Sequence, residues 1–98
     1  MNARIRVMDL DPSDDEWEAA ALAEIRADVR AYPGGAKKFV EDHEDRIGLG
    51  YFAFLEHLNG KRSISYRTFT RSVHILGYTT QEYDEKIRAR IAATRRQG

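Results

Sequence analysis

Cysteine is absent from the 98 residues, so no disulfide framework and no thiolate metal site can form. No apolar run approaches the roughly 18 residues needed to cross a bilayer, and Met1 to Leu10 is too polar for a signal peptide. These absences lead us to expect a cytoplasmic protein without a membrane segment. Histidine is scarce: His43, His57 and His74 stand far apart, with no His-x3-His pair, so no metal site is expected. Gly48-Leu49-Gly50 lacks the third glycine of a phosphate-binding loop. The acidic run from Asp9 to Asp15 fails as a calcium loop, because Pro12 interrupts it and Ala20 stands where the closing glutamate belongs. No serine or threonine sits in a nucleophile elbow. We therefore expect no enzyme, no cofactor and no small-molecule substrate.

Net charge is also absent, since 16 basic residues balance 16 acidic ones. The balance hides a segregation. Residues 1–45 carry 6 Lys/Arg and 12 Asp/Glu, and residues 46–98 carry 10 Lys/Arg and 4 Asp/Glu. Such asymmetry suggests a basic face for a polyanion and an acidic face turned away from it, or else two solvated faces with no partner.

A chain this short forms one domain, 1–98, whose thin core leaves about 35–40% of the unfolded surface in water. Residues 3–10 alternate polar and apolar, with Ile5 and Val7 on the apolar side, which is a strand pattern. No second strand pattern follows. The segment is then either disordered or paired with its copy in another chain. Residues 1–12 are read as an arm or strand, 13–94 as the helical core and 95–98 as a tail.

The rest reads as five helices. Ser13 and Glu16 fit a capping box, followed by Trp17, Ala21, Leu22, Ile25, Val29 and Tyr32 at helical spacing, which predicts helix 1 over about 14–32. Pro33-Gly34-Gly35 ends it. Helix 2 is expected from Ala36 to about His43, with Phe39 and Val40 inward, and Glu44 to Gly48 as a turn. Helix 3 covers about Leu49 to Leu58, with Asn59-Gly60 as its stop. Ser65 caps helix 4, which turns Phe69, Val73 and Leu76 inward. Thr79 to Glu82 repeats the capping box, with Tyr78 and Tyr83 as a hydrophobic staple. Helix 5 carries Tyr83, Ile87 and Ile91 on one stripe and frays after Thr94. Glu16, Glu18, Glu24 and Asp28 read as a solvated acidic face, and Arg88, Arg90, Arg95 and Arg96 as a solvated basic one.

Two short helices joined by a turn, followed by a basic connector, is the order that a DNA-reading helix pair requires. The amides and lysines at the start of helix 2, Lys37 and Lys38, can meet phosphate. Helix 3 would enter the major groove, and Lys61 and Arg62 would return to the backbone behind it.

Leu58-Asn59-Gly60-Lys61-Arg62-Ser63-Ile64, the helix ending Leu76-Gly77 and the capped start Tyr78 to Tyr83 together resemble the second half of a Cro/repressor-type (lambda-repressor-like) helix-turn-helix domain. Tyr32-Pro33-Gly34-Gly35-Ala36 resembles the lead-in to helix 2 of phage regulators grouped as CII-like. The resemblance covers about residues 20–90. It implies an all-α, five-helix domain that binds double-stranded DNA as a homodimer and regulates transcription. By position, it implies a core role for Leu49, Phe54 and Leu58. Gly50, Tyr51, Phe52, Leu55 and Glu56 fall on or near the DNA side. Lys37, Lys38, Asn59, Lys61 and Arg62 fall at phosphates, joined by Arg67.

The chain departs from that pattern twice. From Val40 to Leu58 it is about four residues longer than the family spacing. Helix 3 also lacks the Arg, Gln, Asn or Ser that usually read base edges, leaving Tyr51, Phe52 and Leu55 for apolar contact, for example with thymine methyls, and Glu56 as an acceptor. The alternative is a retained scaffold that docks a host or phage protein through Tyr51, Phe52 and Leu55. Burial of Phe52 in the core is a third outcome.

Overall fold

A computed structural model describes residues 11–97, so the strand pattern at residues 3–10 lies outside the described residues. These hold five α-helices and no strand: α1 (Asp14–Arg30), α2 (Gly35–Ile47), α3 (Tyr51–Leu58), α4 (Tyr66–Ile75) and α5 (Thr80–Gln97). Three helix starts follow the sequence signals. The Ser13 hydroxyl accepts from the Glu16 amide at 3.1 Å, and the Ser65 hydroxyl from the Thr68 amide at 3.1 Å. At α5 the capping box closes in both directions, Glu82 N–H to Thr79 Oγ1 at 3.0 Å and Thr79 N–H to Glu82 Oε1 at 2.8 Å. At α1 it closes in one direction only, because the Glu16 carboxylate turns to Arg95 instead.

Helix α1 stops two residues short of expectation. Tyr32 and Gly35 complete a turn through Tyr32 N–H to Val29 O and Gly35 N–H to Tyr32 O, because Pro33 keeps Tyr32 out of helical geometry. The larger correction is in α2. The expected turn over Glu44 to Gly48 is helical as far as Ile47, past a kink at His43, where φ is −131°. Ile47 is buried, and bringing it to the core carries the polar residues before it into one more helical turn. Gly48 then closes the helix with φ 80° and its N–H on Glu44 O at 2.8 Å, a left-handed geometry that costs glycine little. The connection to α3 is thereby Gly48, Leu49 and Gly50 alone, and α3 begins at Tyr51. Leu49, expected in the core, is half-buried against it.

The core is continuous across all five helices: Ile25 and Val29 from α1, Phe39, Val40 and Ile47 from α2, Phe54 and Leu58 from α3, Phe69 and Val73 from α4, and Tyr83, Ile87 and Ile91 from α5. Aromatic edges link them. Trp17 meets Phe69, and Phe69 meets Tyr83, at ring separations of 5.9 and 5.8 Å. Phe39 lies 5.9 Å from Phe54. Each such side chain withdrawn from water contributes about 1.5–3 kcal/mol.

Helix α5 does not fray at Thr94, and residues 95–97 are not a loose tail. Arg95 Nη2 lies 2.6 Å from Glu16 Oε1, Arg90 Nε 2.8 Å from Glu24 Oε1, and Lys86 Nζ 2.9 Å from Asp28 Oδ2 and 3.3 Å from Glu24 Oε2. Partner numbers rise on one helix as they fall on the other, so α1 and α5 run antiparallel. The faces read as solvated are therefore clamped together through Glu16, Glu24, Asp28, Lys86, Arg90 and Arg95, with Arg88 held by Asp84 and Asp11. At the deepest point, burial works against the Lys86 ammonium, but hydrogen bonds to Asp28 and Tyr78 and the Asp28 charge outweigh it and hold its pKa above the usual lysine value. Burial, then the hydrogen bond to Asp28, push the Tyr83 hydroxyl well above an ordinary phenol.

Three carboxylates sit below their ordinary range. Glu16 is lowered chiefly by its Arg95 hydrogen bond, and Asp42 by Lys38 and then Tyr32. Burial alone would raise Asp84, but Trp17 and Arg88 overcome it. A carboxylate depressed in the folded state stabilises fully above its unfolded pKa of about 4, and that stability is lost as pH falls through the folded value. Thermal melts from pH 7 to pH 2 are expected to hold level down to about pH 5 and then fall steadily. A melting temperature unchanged down to pH 2 would show that these contacts carry no stability.

Candidate nucleic-acid interface

Helix α2, the three-residue turn Gly48-Leu49-Gly50 and α3 follow one another directly along the chain. Lys37 and Lys38 stand in the first turn of α2, both exposed. Gly34 caps that turn with φ 92°, and a β-carbon there would lie 2.6 Å from the Lys38 β-carbon, so glycine lets the lead-in pass close beside Lys38. Two lysines at a helix start oppose the helix dipole, each at a cost of about 0.3–1 kcal/mol. The first turn of α2 holds no acidic residue, whereas its last turn mixes exposed Glu44 and Asp45 with exposed Arg46. The charge at its start is the reverse of what isolated helix stability favours, and that positive end suits an anion. Lys38 is partly neutralised: its Nζ lies 3.0 Å from Asp42 Oδ1, and Asp42 also accepts from the Tyr32 hydroxyl at 2.9 Å. The Asp42 hydrogen bond, then its charge, raise the Lys38 pKa. Lys37 has no ion pair among the described residues.

On α3 the inward residues are Phe54 and Leu58. The outward stripe is Phe52, Glu56 and Asn59, at the i, i+4, i+7 spacing of one helix side. Phe52 is 81% exposed, which settles its placement: it is surface and not core. Tyr51 and Leu55, expected beside it, are half-buried, and the Tyr51 ring packs 5.5 Å from the Phe52 ring. Gly50 is the extended N-cap, with no side chain to bond the first amides of α3. Glu56 leans toward the connector, its Oε1 3.8 Å from Arg62 Nε.

The connector is held in a fixed arc. Lys61 N–H bonds Glu56 O at 3.0 Å, and Gly60 N–H bonds His57 O at 3.1 Å. His57 Nδ1 lies 3.2 Å from Arg62 O. Lys61 and Arg62 are exposed on this arc, as are Asn59 before it and Arg67 in the first turn of α4. The connectivity thus brings Phe52, Glu56, Asn59, Lys61 and Arg62 onto one helix and its exit. Lys37 and Lys38 stand on the preceding helix and Arg67 on the following one.

Two arginines position this unit: the sequence gives no sign of the role of Arg26, and it presents Arg71, beside Arg67, only as a solvated residue or a phosphate contact. Arg26 Nε donates to Leu58 O at 2.8 Å and ties α1 to the end of α3. Arg71 Nη1 donates to Arg46 O at 3.0 Å and ties α4 to the end of α2. Both bonds go to carbonyls near helix ends, which leave no trace in side-chain spacing. The segregated charges are also not two free faces, because α1 and α5 consume much of both signs. Had the acids at 16, 24 and 28 been set against the bases at 86, 90 and 95, their helical spacing on both helices would have pointed to that pairing.

Among the described residues no group of three or more His, Asp and Glu could hold a metal ion, and no helix is long and apolar enough to cross a membrane. Compared with protein families, curated proteins and solved structures, the chain matches none.

Proposed function

We propose that this chain binds double-stranded DNA sequence-specifically through α2, its glycine turn and α3, and acts as a transcriptional regulator of the phage or mobile-element kind, as a homodimer. The observation that carries the reading is the start of α2, where Lys37 and Lys38, with no acidic residue in the first turn, crowd a helix start whose free amides already favour an anion. In this reading α3 lies in the major groove, Phe52 makes apolar base contact, and Lys61, Arg62 and Arg67 meet phosphate on the exit side. Two copies would span half-sites about 34 Å apart.

The test is selection of bound oligonucleotides from a random duplex pool with the purified chain, repeated with Phe52→Ala. Enrichment of a common motif by the wild type, and a changed or relaxed motif with Phe52→Ala, is the expected result. Recovery of unenriched sequence from both overturns the assignment of sequence-specific binding.

One observation favours a second reading. An aromatic ring 81% exposed in the middle of the surface is also what a protein interface uses as an anchor. That reading gives a protein-docking module on the same scaffold, with no DNA affinity even at low salt.

A further inference from the structure

The exit of α1 meets α2 in a chain of four polar side chains. Lys38 Nζ lies 3.0 Å from Asp42 Oδ1. The other oxygen, Asp42 Oδ2, accepts from the Tyr32 hydroxyl at 2.9 Å, and the Tyr32 oxygen lies 3.2 Å from His43 Nε2. A phenol has a single proton, and here it goes to the carboxylate, so the imidazole donates to the phenol oxygen through Nε2–H. The backbone leaves helical geometry at His43, with φ −131° and ψ 20°. The His43 ring stands 5.9 Å from the Tyr32 ring and 5.8 Å from the Phe39 ring, and Tyr32 meets Phe39 edge-on at 5.2 Å. The chain is thus packed at its tyrosine and histidine and open at its lysine, whose side chain is 56% exposed.

We propose that His43 is a positioning residue for Lys38: protonation of its ring, passed through Tyr32 to Asp42, loosens the carboxylate's hold on Lys38 and offers that charge at the start of α2. The inference rests on the DNA reading of that helix start. The added proton enters at Nδ1, since Nε2 already carries one, so the relay stays connected while its donor becomes a cation. A charged donor makes the stronger hydrogen bond, and the polarised phenol bonds Asp42 more tightly in turn. The Asp42 charge is then shared with a second cation. The exposed Lys38–Asp42 pair is the weak link, because an i,i+4 pair in water contributes little. Bonds from Lys38 and then Tyr32 hold the Asp42 carboxyl below its ordinary range. The Asp42 bond, then burial, raise the Tyr32 hydroxyl, and the Asp42 bond raises Lys38. An imidazole is the one group of the four whose kind changes charge between about pH 5 and 8. The other charged groups on this part of the molecule are exposed Glu41, Glu44 and Asp45 on α2 and exposed Arg30 in the last turn of α1. Helix α3 meets this part of α2 through Phe54 on Phe39, and α4 reaches α2 through Arg71 on the Arg46 carbonyl.

The test follows acidification from about pH 8 to about pH 5.5 in three full-length chains. These are the wild type, His43→Gln, which keeps an N–H donor but no titrating ring, and Tyr32→Phe, which keeps the ring packing but cuts the relay. Far-UV spectra serve as the folding control. Carbon NMR without DNA reads the Asp42 carboxylate and the Lys38 ε-carbon. Both signals step with the His43 ring in the wild type, stay level in His43→Gln and step less in Tyr32→Phe. Fluorescence anisotropy on one duplex reads the consequence. Wild-type affinity rises on acidification by about two- to fivefold more than that of His43→Gln, and Tyr32→Phe loses most of this gain. His57 and His74 are common to all three chains, so the differences isolate position 43. Asp42 and Lys38 signals in the wild type that ignore the His43 titration overturn the proposal. So does an equal acid gain in the wild type and His43→Gln, or in the wild type and Tyr32→Phe, since the relay then carries nothing. A wild type that shows the NMR steps but binds duplex at neither pH removes the DNA reading and leaves the relay standing.

Discussion

Replacing Phe54 with alanine lowers the unfolding free energy by about 3–5 kcal/mol, whereas replacing Phe52 changes it by less than about 0.5 kcal/mol. The two phenylalanines are two residues apart on an eight-residue helix. Phe54 is fully buried and stacks toward Phe39, so its removal leaves a cavity between α2 and α3. A domain of this size holds about 5–15 kcal/mol in all, and a loss on that scale leaves it marginal. Phe52 contacts mainly solvent and the Tyr51 ring. Denaturant titrations of both variants check the contrast. Comparable destabilisation by the two would mean that the ring at 52 is packed, and the proposed binding surface on α3 would be lost with it.

The second large effect concerns affinity. Lys37, Lys61 and Arg67 are exposed and have no carboxylate partner among the described residues, whereas Lys38 and Arg62 share theirs with Asp42 and Glu56. The triple substitution Lys37→Ala/Lys61→Ala/Arg67→Ala should flatten the salt dependence of DNA binding by about 0.9 per lost phosphate contact and weaken binding to all sequences alike. Fluorescence anisotropy on one duplex at several salt concentrations measures it. Asp42→Asn runs the other way: it frees Lys38 and should strengthen binding at low salt. An unchanged slope in the triple variant would remove these cations from the interface.

Much of the fold was legible because its helix starts are written locally. Ser13, Ser65 and Thr79 each stand three residues before the amide they cap, and all three caps form. The buried stripe of α5 followed from the spacing of Tyr83, Ile87 and Ile91. What could not be read was set by tertiary contact. Glu44-Asp45-Arg46 is as polar as any turn, and only the burial of Ile47 makes it helical. The charge halves looked like two surfaces because a single sequence does not show which helices lie together. Antiparallel contact between α1 and α5 turns those opposite charges into a clamp. Exposure of Phe52 was likewise undecidable from periodicity, since a thin core could have absorbed it. At the candidate interface, the residue types and their order were legible. The partial neutralisation of Lys38 and Arg62, and the bracing by Arg26 and Arg71, were not.

We propose that the start of α2, the outer side of α3 and the connector together attract a polyanion. The direct measurement is the binding constant of the wild-type chain for duplex DNA as a function of salt. A straight line of log affinity against log salt, with a slope of several units, is the predicted result. A flat line, or no binding at the lowest salt, contradicts it.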